Sequence, residues 1–351
     1  MRTVVVLGTN LVVGAAALGW VLVRFGAPAL ALLAREPHVV LLGGLALAVA
    51  TTFLCFGVRW QLLLRGLGVQ AALVRLTAYR AAGQSVSTLI PSGKLGGEPV
   101  RAYLLARSGV SVPATLASVA LDRAFDMAAA VPFTCAYAVL LLQLGVPELH
   151  GAFVSVLAAT AALLVGIAIG ARRLRRRSGV VTAIARSTGL DRLRFVQGQM
   201  DVLAAAEEDA ACLAAQRPRV AGALALGLVS NFVVMAEYAL LLSAFGLPAH
   251  PLAVVAAIFA TGAAHSLPVP AAVGVLEGAQ MFIFGTLGHP PEVGLAVGMA
   301  VRLRELMWIL PGILFLTIDG VRRVLAERAP PEGNVAHQAD GRVSSPPAAR
   351  S

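Results

Sequence analysis

Long apolar runs separated by short polar interruptions organise the chain. Runs at 3–23, 38–58, 114–145, 151–170, 219–245, 251–288 and 293–317 approach or exceed about 20 residues, enough helix to cross a hydrocarbon core of about 30 Å. The pattern predicts an all-α polytopic membrane protein. Two interruptions stand out. Residues 91–98 read PSGKLGGE and residues 270–277 read PAAVGVLE, and in both a proline is followed seven positions later by a glutamate.

Arginine placement predicts the topology. RRLRRR at 172–177 is the strongest cytoplasmic marker. It sets 151–170 running inward, 146–150 outside, and 114–145 running outward. Arg59, Arg65, Arg75 and Arg80 are expected on the cytoplasmic side as well. Segment 81–107 then begins and ends on one side and is expected to enter the bilayer and return. About ten residues of helix before Pro91 reach about 15 Å, half the hydrocarbon thickness. Irregular backbone at that depth is tolerated only against protein or a water-filled cavity. The alternative is a cytoplasmic loop between two poor helices.

Sliding the chain against itself by 179 positions aligns Gly83 with Gly262, Pro91 with Pro270, Glu98 with Glu277, Gly109 with Gly288, Arg123 with Arg302 and Pro132 with Pro311, without a gap. Asp126 meets Glu305 in the same register. The expected fold is therefore an inverted-topology repeat, about 39–132 and 218–311, with a re-entrant broken hairpin in each half. A membrane domain spans 1–325: repeat one at 39–145, a cytoplasmic helical linker at 171–217, and repeat two at 218–320. Residues 326–351 are expected to be a disordered cytoplasmic tail. Both termini are placed in the cytoplasm and the chain in the inner (plasma) membrane. Arg322 and Arg323 suit this topology, whereas Arg24 and Arg35, expected in the first outer loop, go against it.

Composition supports the class. Of 351 residues, 58% are hydrophobic and 13% charged, and the mean hydropathy is +0.82, which excludes an ordinary soluble domain. The net charge of +10 comes from arginines beside apolar spans, so it reads as topology signal and contact with anionic lipid, not as a nucleic-acid surface. Cys55, Cys135 and Cys212 have no ligand-type spacing. The apolar N-terminal run is too long for a signal peptide and is read as an uncleaved helix.

The candidate chemistry lies in charged residues within apolar surroundings. Arg123 and Arg302 each fall about ten residues into a helix, near mid-depth, with Asp126 and Glu305 one turn on. Charges there are functional candidates by default; the plainer reading is an ion pair locking each helix to its hairpin. Lys94 is the only lysine among 28 basic residues, and with Arg101 it is positioned to clasp a phosphate. Its plainer role is snorkelling toward water. Gly96 and Gly97 let the backbone turn and expose N–H groups. Glu98 and Glu277 either cap helix starts or carry charge. Glu237 has no charged repeat mate, His265 reads as a satisfied buried histidine, and Asp122 with Asp126 lacks a third ligand for a metal. No metal, cofactor or catalytic motif is expected.

LIPSGKLGGEPVRAYLLARSGVSVPATLASVALDRAFD (89–126) and SLPVPAAVGVLEGAQMFIFGTLGHPPEVGLAVGMAVRLRELMWILPG (266–312) resemble the transmembrane region of lysylphosphatidylglycerol synthases and its stand-alone relatives, including hopanoid-cluster and glycosyltransferase-associated members. In the synthases that region is implicated in moving an aminoacylated lipid between leaflets, while a soluble domain makes the lipid. This chain ends in a short polar tail, so aminoacyl transfer, and enzymatic activity generally, is not expected. The second tip departs from the proline–glycine-rich turn common in the family, keeping only Gly274, which weakens the case for anion binding by its backbone.

The resemblance implies a lipid flippase or transporter. A phospholipid or lipid-linked head group would pass through a midplane site between the hairpins. Lys94, Arg101, Arg123 and Arg302 would hold phosphate, and Glu98, Glu277 and Glu305 would balance charge or couple protons. Two alternatives stay open: a secondary transporter of a small solute, and a non-transporting membrane partner of a lipid-modifying enzyme docked on the linker. Expected partners are thus membrane lipid and such an enzyme, with a homo-oligomer also compatible and nucleic acid excluded.

Overall fold

The structure is a computed structural model, and it describes residues 19, 21–35, 37–90, 96–143, 147–177, 179–183, 188, 197–267 and 269–328. Lys94 and most of the first tip (91–95), the start of the chain and the tail beyond 328 lie outside the described residues. Among the described residues all regular structure is helical. The helices are α1 (Val21–Leu33), α2 (Val39–Gly66), α3 (Leu73–Leu89), α4 (Gly97–Arg107), α5 (Val112–Leu142), α6 (Pro147–Arg175), α7 (Met200–Ala215), α8 (Arg217–Ala244), α9 (Pro251–Ser266), α10 (Val275–Thr286) and α11 (Pro291–Arg328).

This is an all-α polytopic membrane protein. Val39–Gly66, Val112–Leu142, Phe153–Arg175 and Arg217–Ala244 are long and apolar enough to cross a bilayer. Helix α11 is longer still, but Arg302, Arg304 and Glu305 interrupt its apolar character midway. The observed bounds shift several expectations. Helix α1 continues to Leu33, so Arg24 lies within a helix and not in a loop. Helix α3 has 17 residues before the first tip, not the ten expected.

Helix starts recur along the chain. Val39, Leu73, Gly97 and Val112 open α2 to α5; Arg217, Pro251, Val275 and Pro291 open α8 to α11, each 178 or 179 residues later. Local chemistry recurs with them. Gly109 and Gly288 follow the ends of α4 and α10 at φ 94° and 80°, the left-handed position that glycine occupies without a Cβ clash. Pro132 and Pro311 lie inside α5 and α11, where each removes a backbone donor and loosens the helix.

Packing joins the halves. Helices α2 and α8 lie against each other along the most extensive helix–helix contact among the described residues. Helix α3 folds back on α4, and α9 on α10; α3 also packs on α11 and α9 on α5, so each hairpin leans on the other half's long helix. At the α3–α11 crossing Ser85 Oγ donates to the Ile309 carbonyl at 2.7 Å, and Gly312 is so close to Ala81 and Ser85 that a Cβ would not fit. Between the halves in sequence, α7 packs on α5 and α6, and Gln216 Nε2 caps the α2 carbonyl end at Gly66, 2.9 Å away.

Candidate functional site

A cavity of about 310 Å³ lies where the two halves meet. Arg80 (α3), Arg123 and Asp126 (α5), His265 (α9), and Arg304 and Glu305 (α11) give it charged walls. Gln84, Thr88, Ser230 and Asn231 add neutral polar surface. In so apolar a chain such a lining requires water or a polar ligand, because unsolvated polar groups cost several kcal/mol each in a low-dielectric medium.

On the first-half side, Asp122 is the hub. It is fully buried and accepts from Arg59 Nε at 2.7 Å, Arg80 NH1 at 2.5 Å and Arg101 NH2 at 2.6 Å. These arginines come from α2, α3 and α4, so one carboxylate on α5 ties the half together. Arg59 and Arg80 also reach Asp126, at 3.1 and 3.3 Å. Aromatic faces cover the guanidiniums: Arg80 lies 4.4 Å over Phe56 and Arg101 4.3 Å over Trp60. Arg123 Nε stands 3.4 Å from Glu98 and its NH1 3.5 Å from Asp126.

The second-half side repeats the last of these arrangements. Arg302 Nε donates to Glu277 at 2.7 Å and NH1 to Glu305 at 2.8 Å. The same guanidinium holds the second tip by donating to the carbonyls of Ala271 and Ala272, at 2.6 and 3.0 Å. Both alanines sit in the left-handed region, at φ 49° and 48°, a conformation costing about 1–2 kcal/mol per non-glycine residue. Glu277 Oε2 accepts from the Gly274 N–H at 3.0 Å. The tip thus turns its carbonyls to a cation and spends the Gly274 amide on a carboxylate, so Gly274 does not offer an anion cradle. Glu277 thus caps the start of α10 while also pairing with Arg302.

His265 links this group to the cavity. Its Nδ1 lies 2.9 Å from the Thr261 carbonyl, which can only accept, so Nδ1 carries a hydrogen. Its Nε2 lies 2.9 Å from Glu305 Oε1, and that contact is a hydrogen bond only when a further proton sits between ring and carboxylate. A separate pair, Arg304 with Glu237, spans α11 and α8 at 2.5 Å. Glu237 also accepts from Thr52 at 2.6 Å and from Trp308 Nε1 at 3.1 Å.

The sequence-predicted residues separate into layers. Arg123, Asp126 and Glu305 reach the cavity wall. Glu98, Glu277 and Arg302 stand behind it, joined to it by ion pairs. Arg101 is buried on Asp122. Gly96 precedes α4, and Gly97 packs against Gly83 so tightly that a Cβ would overlap its carbonyl. Lys94 lies outside the described residues. Sequence reasoning missed Arg59, Arg80, Asp122, Arg304 and Trp308. Arg59 and Arg80, expected on the cytoplasmic side as topology markers, are only 0% and 5% exposed; the marker evidence there rests on the exposed Arg65 and Arg75. No spacing signal marked them: Arg80 lies in the polar-rich α3, and Asp122 stands beside Arg123 and one turn before Asp126.

The ion-pair clusters on and behind the two walls carry unequal charge. Arg59, Arg80, Arg101 and Arg123 face Asp122, Asp126 and Glu98 in the first half, leaving one positive charge in excess. Arg302 and Arg304 face Glu237, Glu277 and Glu305 in the second, leaving one negative charge unless His265 is protonated.

Comparison with known proteins adds two findings. A family model described as the lysylphosphatidylglycerol synthase TM region matches residues 5–312. A UPF0104 membrane protein of Methanothermobacter thermautotrophicus is 35% identical over 72 residues, covering 20% of this chain. The matched stretch spans 21% of that relative's length.

Proposed function

Because the chain belongs to the lysylphosphatidylglycerol synthase transmembrane-region family, we propose that it moves a phosphate-bearing lipid head group across the bilayer through the cavity between its halves. The observation that carries this reading is the cavity itself, polar and charged, walled by helices of both halves within an apolar protein. Phosphate would settle against the Arg80–Arg123 wall, where charge is in excess. A head group that also carries a cation would find its complement at the Glu305 wall. His265 and Glu305 would hold the coupling proton.

The halves would work as inverted repeats. Matching helix starts and the matching Glu98–Arg123–Asp126 and Glu277–Arg302–Glu305 groups support this. Rocking of one half against the other would open the cavity to each side in turn.

Cysteine protection tests the reading. Gln84→Cys and Asn231→Cys, in a background lacking Cys55, Cys135 and Cys212, place a thiol in the cavity. A membrane-impermeant maleimide should label both, and a phosphate-bearing phospholipid should slow labelling. Equal labelling with and without lipid would contradict the proposal. Equal protection by a soluble glycerophosphodiester would point to a small-solute carrier instead.

A further inference from the structure

An apolar groove of about 750 Å³ runs along the outside of the protein between α2 and α11. Val49, Ala50 and Phe53 form one wall, and Leu310, Pro311 and Leu314 the other. Phe53 and Trp308 separate it from the polar cavity. Their rings are 5.0 Å apart, Phe56 stands 6.0 Å from Trp308 on the inner side, and Trp308 itself lines the cavity. On that side Trp308 is tethered through Nε1 to Glu237, and Arg304 lies 4.9 Å over its ring. One aromatic pair therefore divides a charged chamber from an apolar trough that opens sideways.

We propose that this groove is the acyl-chain site of the lipid whose phosphate occupies the cavity, with Phe53 and Trp308 as the partition that parts to let head group and chain stay joined. The proposal rests on the transport reading above and deepens it, since it makes the substrate a lipid taken laterally from the bilayer. Three observations favour a chain as occupant. The lining is apolar except for Thr317, the groove shares a wall with the cavity, and Pro311 weakens α11 one turn beyond Met307. A proline ring cannot donate to the carbonyl four residues back, so the helix has give at the level of Trp308.

Lipid tails are as apolar as the groove, so burial alone gives a chain no reason to prefer it over bulk bilayer. Occupancy must come from the head group, and the experiment follows from that. Wild type and Trp308→Phe are reconstituted in vesicles of unlabelled phospholipid with a minor fraction of brominated-chain lipid. The difference in quenching between the two proteins isolates Trp308. A brominated phospholipid should quench Trp308 several-fold more than brominated diacylglycerol, which has the chains without the phosphate. Arg123→Gln should abolish that preference, and Ala50→Phe, at an exposed groove position, should cut quenching by the phospholipid. Equal quenching by the two lipids, unchanged in Ala50→Phe, would overturn the proposal.

A phospholipid with a photoreactive acyl chain gives a readout independent of the Trp308 variant. Crosslinks concentrated in 46–53 and 307–317 support the groove, and crosslinks spread evenly over the outer helices overturn it. The two levels fail separately. Translocation that proceeds without preferential quenching removes the groove and leaves the transport reading. Preferential quenching without translocation keeps the groove as a lipid site and removes transport.

Discussion

Arg302 donates through Nε to Glu277 at 2.7 Å, tying α11 to the second hairpin just as Arg123 reaches Glu98 to tie α5 to the first. Glu277 is nearly inaccessible, with 4% of its side chain exposed, so removing the arginine strands a buried carboxylate. Arg302→Gln should cost about 3 kcal/mol, the lower end for breaking a buried pair because 25% of the Arg302 side chain is exposed. Thermal unfolding in detergent should show the loss, and Arg302→Gln with Glu277→Gln should recover part of it. A double variant as unstable as the sum of the single ones would deny the coupling.

Asp122 and Asp126 differ by one helical turn and should differ in consequence. Asp122 holds three arginines and is fully buried; Asp126 has 23% of its side chain exposed to the cavity. Asp122→Asn should lose about 3–5 kcal/mol and yield little folded protein. Asp126→Asn should fold, as size-exclusion profiles of the two variants would show.

The second tip carries local strain that glycine would relieve. Ala271→Gly or Ala272→Gly should leave the protein as stable or up to about 1 kcal/mol more stable, since glycine adopts positive φ without a Cβ clash. Ala271→Val should lower the unfolding midpoint.

Repeat mates need not tolerate the same change. A Cβ on Gly83 would strike Arg101 and the Gly97 carbonyl, while Gly262, its mate, has open space around it. Gly83→Ala should destabilise by about 1–3 kcal/mol through overpacking. Gly262→Ala should be neutral or stabilising by up to about 1 kcal/mol through helix propensity. Melting the two variants side by side checks the contrast.

The duplicated register was the most legible feature of the sequence, because proline, glycine, arginine and glutamate are rare enough in this composition for matches to carry information. It located Glu98, Arg123, Asp126 and their mates, and the structure joins each set as ion pairs. What the register hid was everything the halves do not share. Arg59, Arg80, Arg101 and Asp122 have Tyr238, Phe259, Gln280 and Val301 as mates, and where Arg101 binds Asp122, Gln280 instead donates to Thr261 and the Ala257 carbonyl. Glu237 and Arg304 likewise answer to Val58 and Phe125. Their charged partners lie 21 to 67 residues away on other helices, so no local spacing pairs them. The aromatic partition escaped for a similar reason, since Phe53 and Trp308 come from opposite halves.

Leaflet translocation in proteoliposomes tests the central claim most directly. Fluorescent phospholipids of several head groups would be followed by an impermeant quencher, comparing wild type with Arg123→Gln and with Asn231→Phe, which fills the cavity. Wild type should speed the flipping of a phosphate-bearing lipid, and both variants should lose the acceleration while remaining folded. Undiminished flipping in both variants would contradict a path through the cavity, and no acceleration by wild type for any lipid would contradict transport itself.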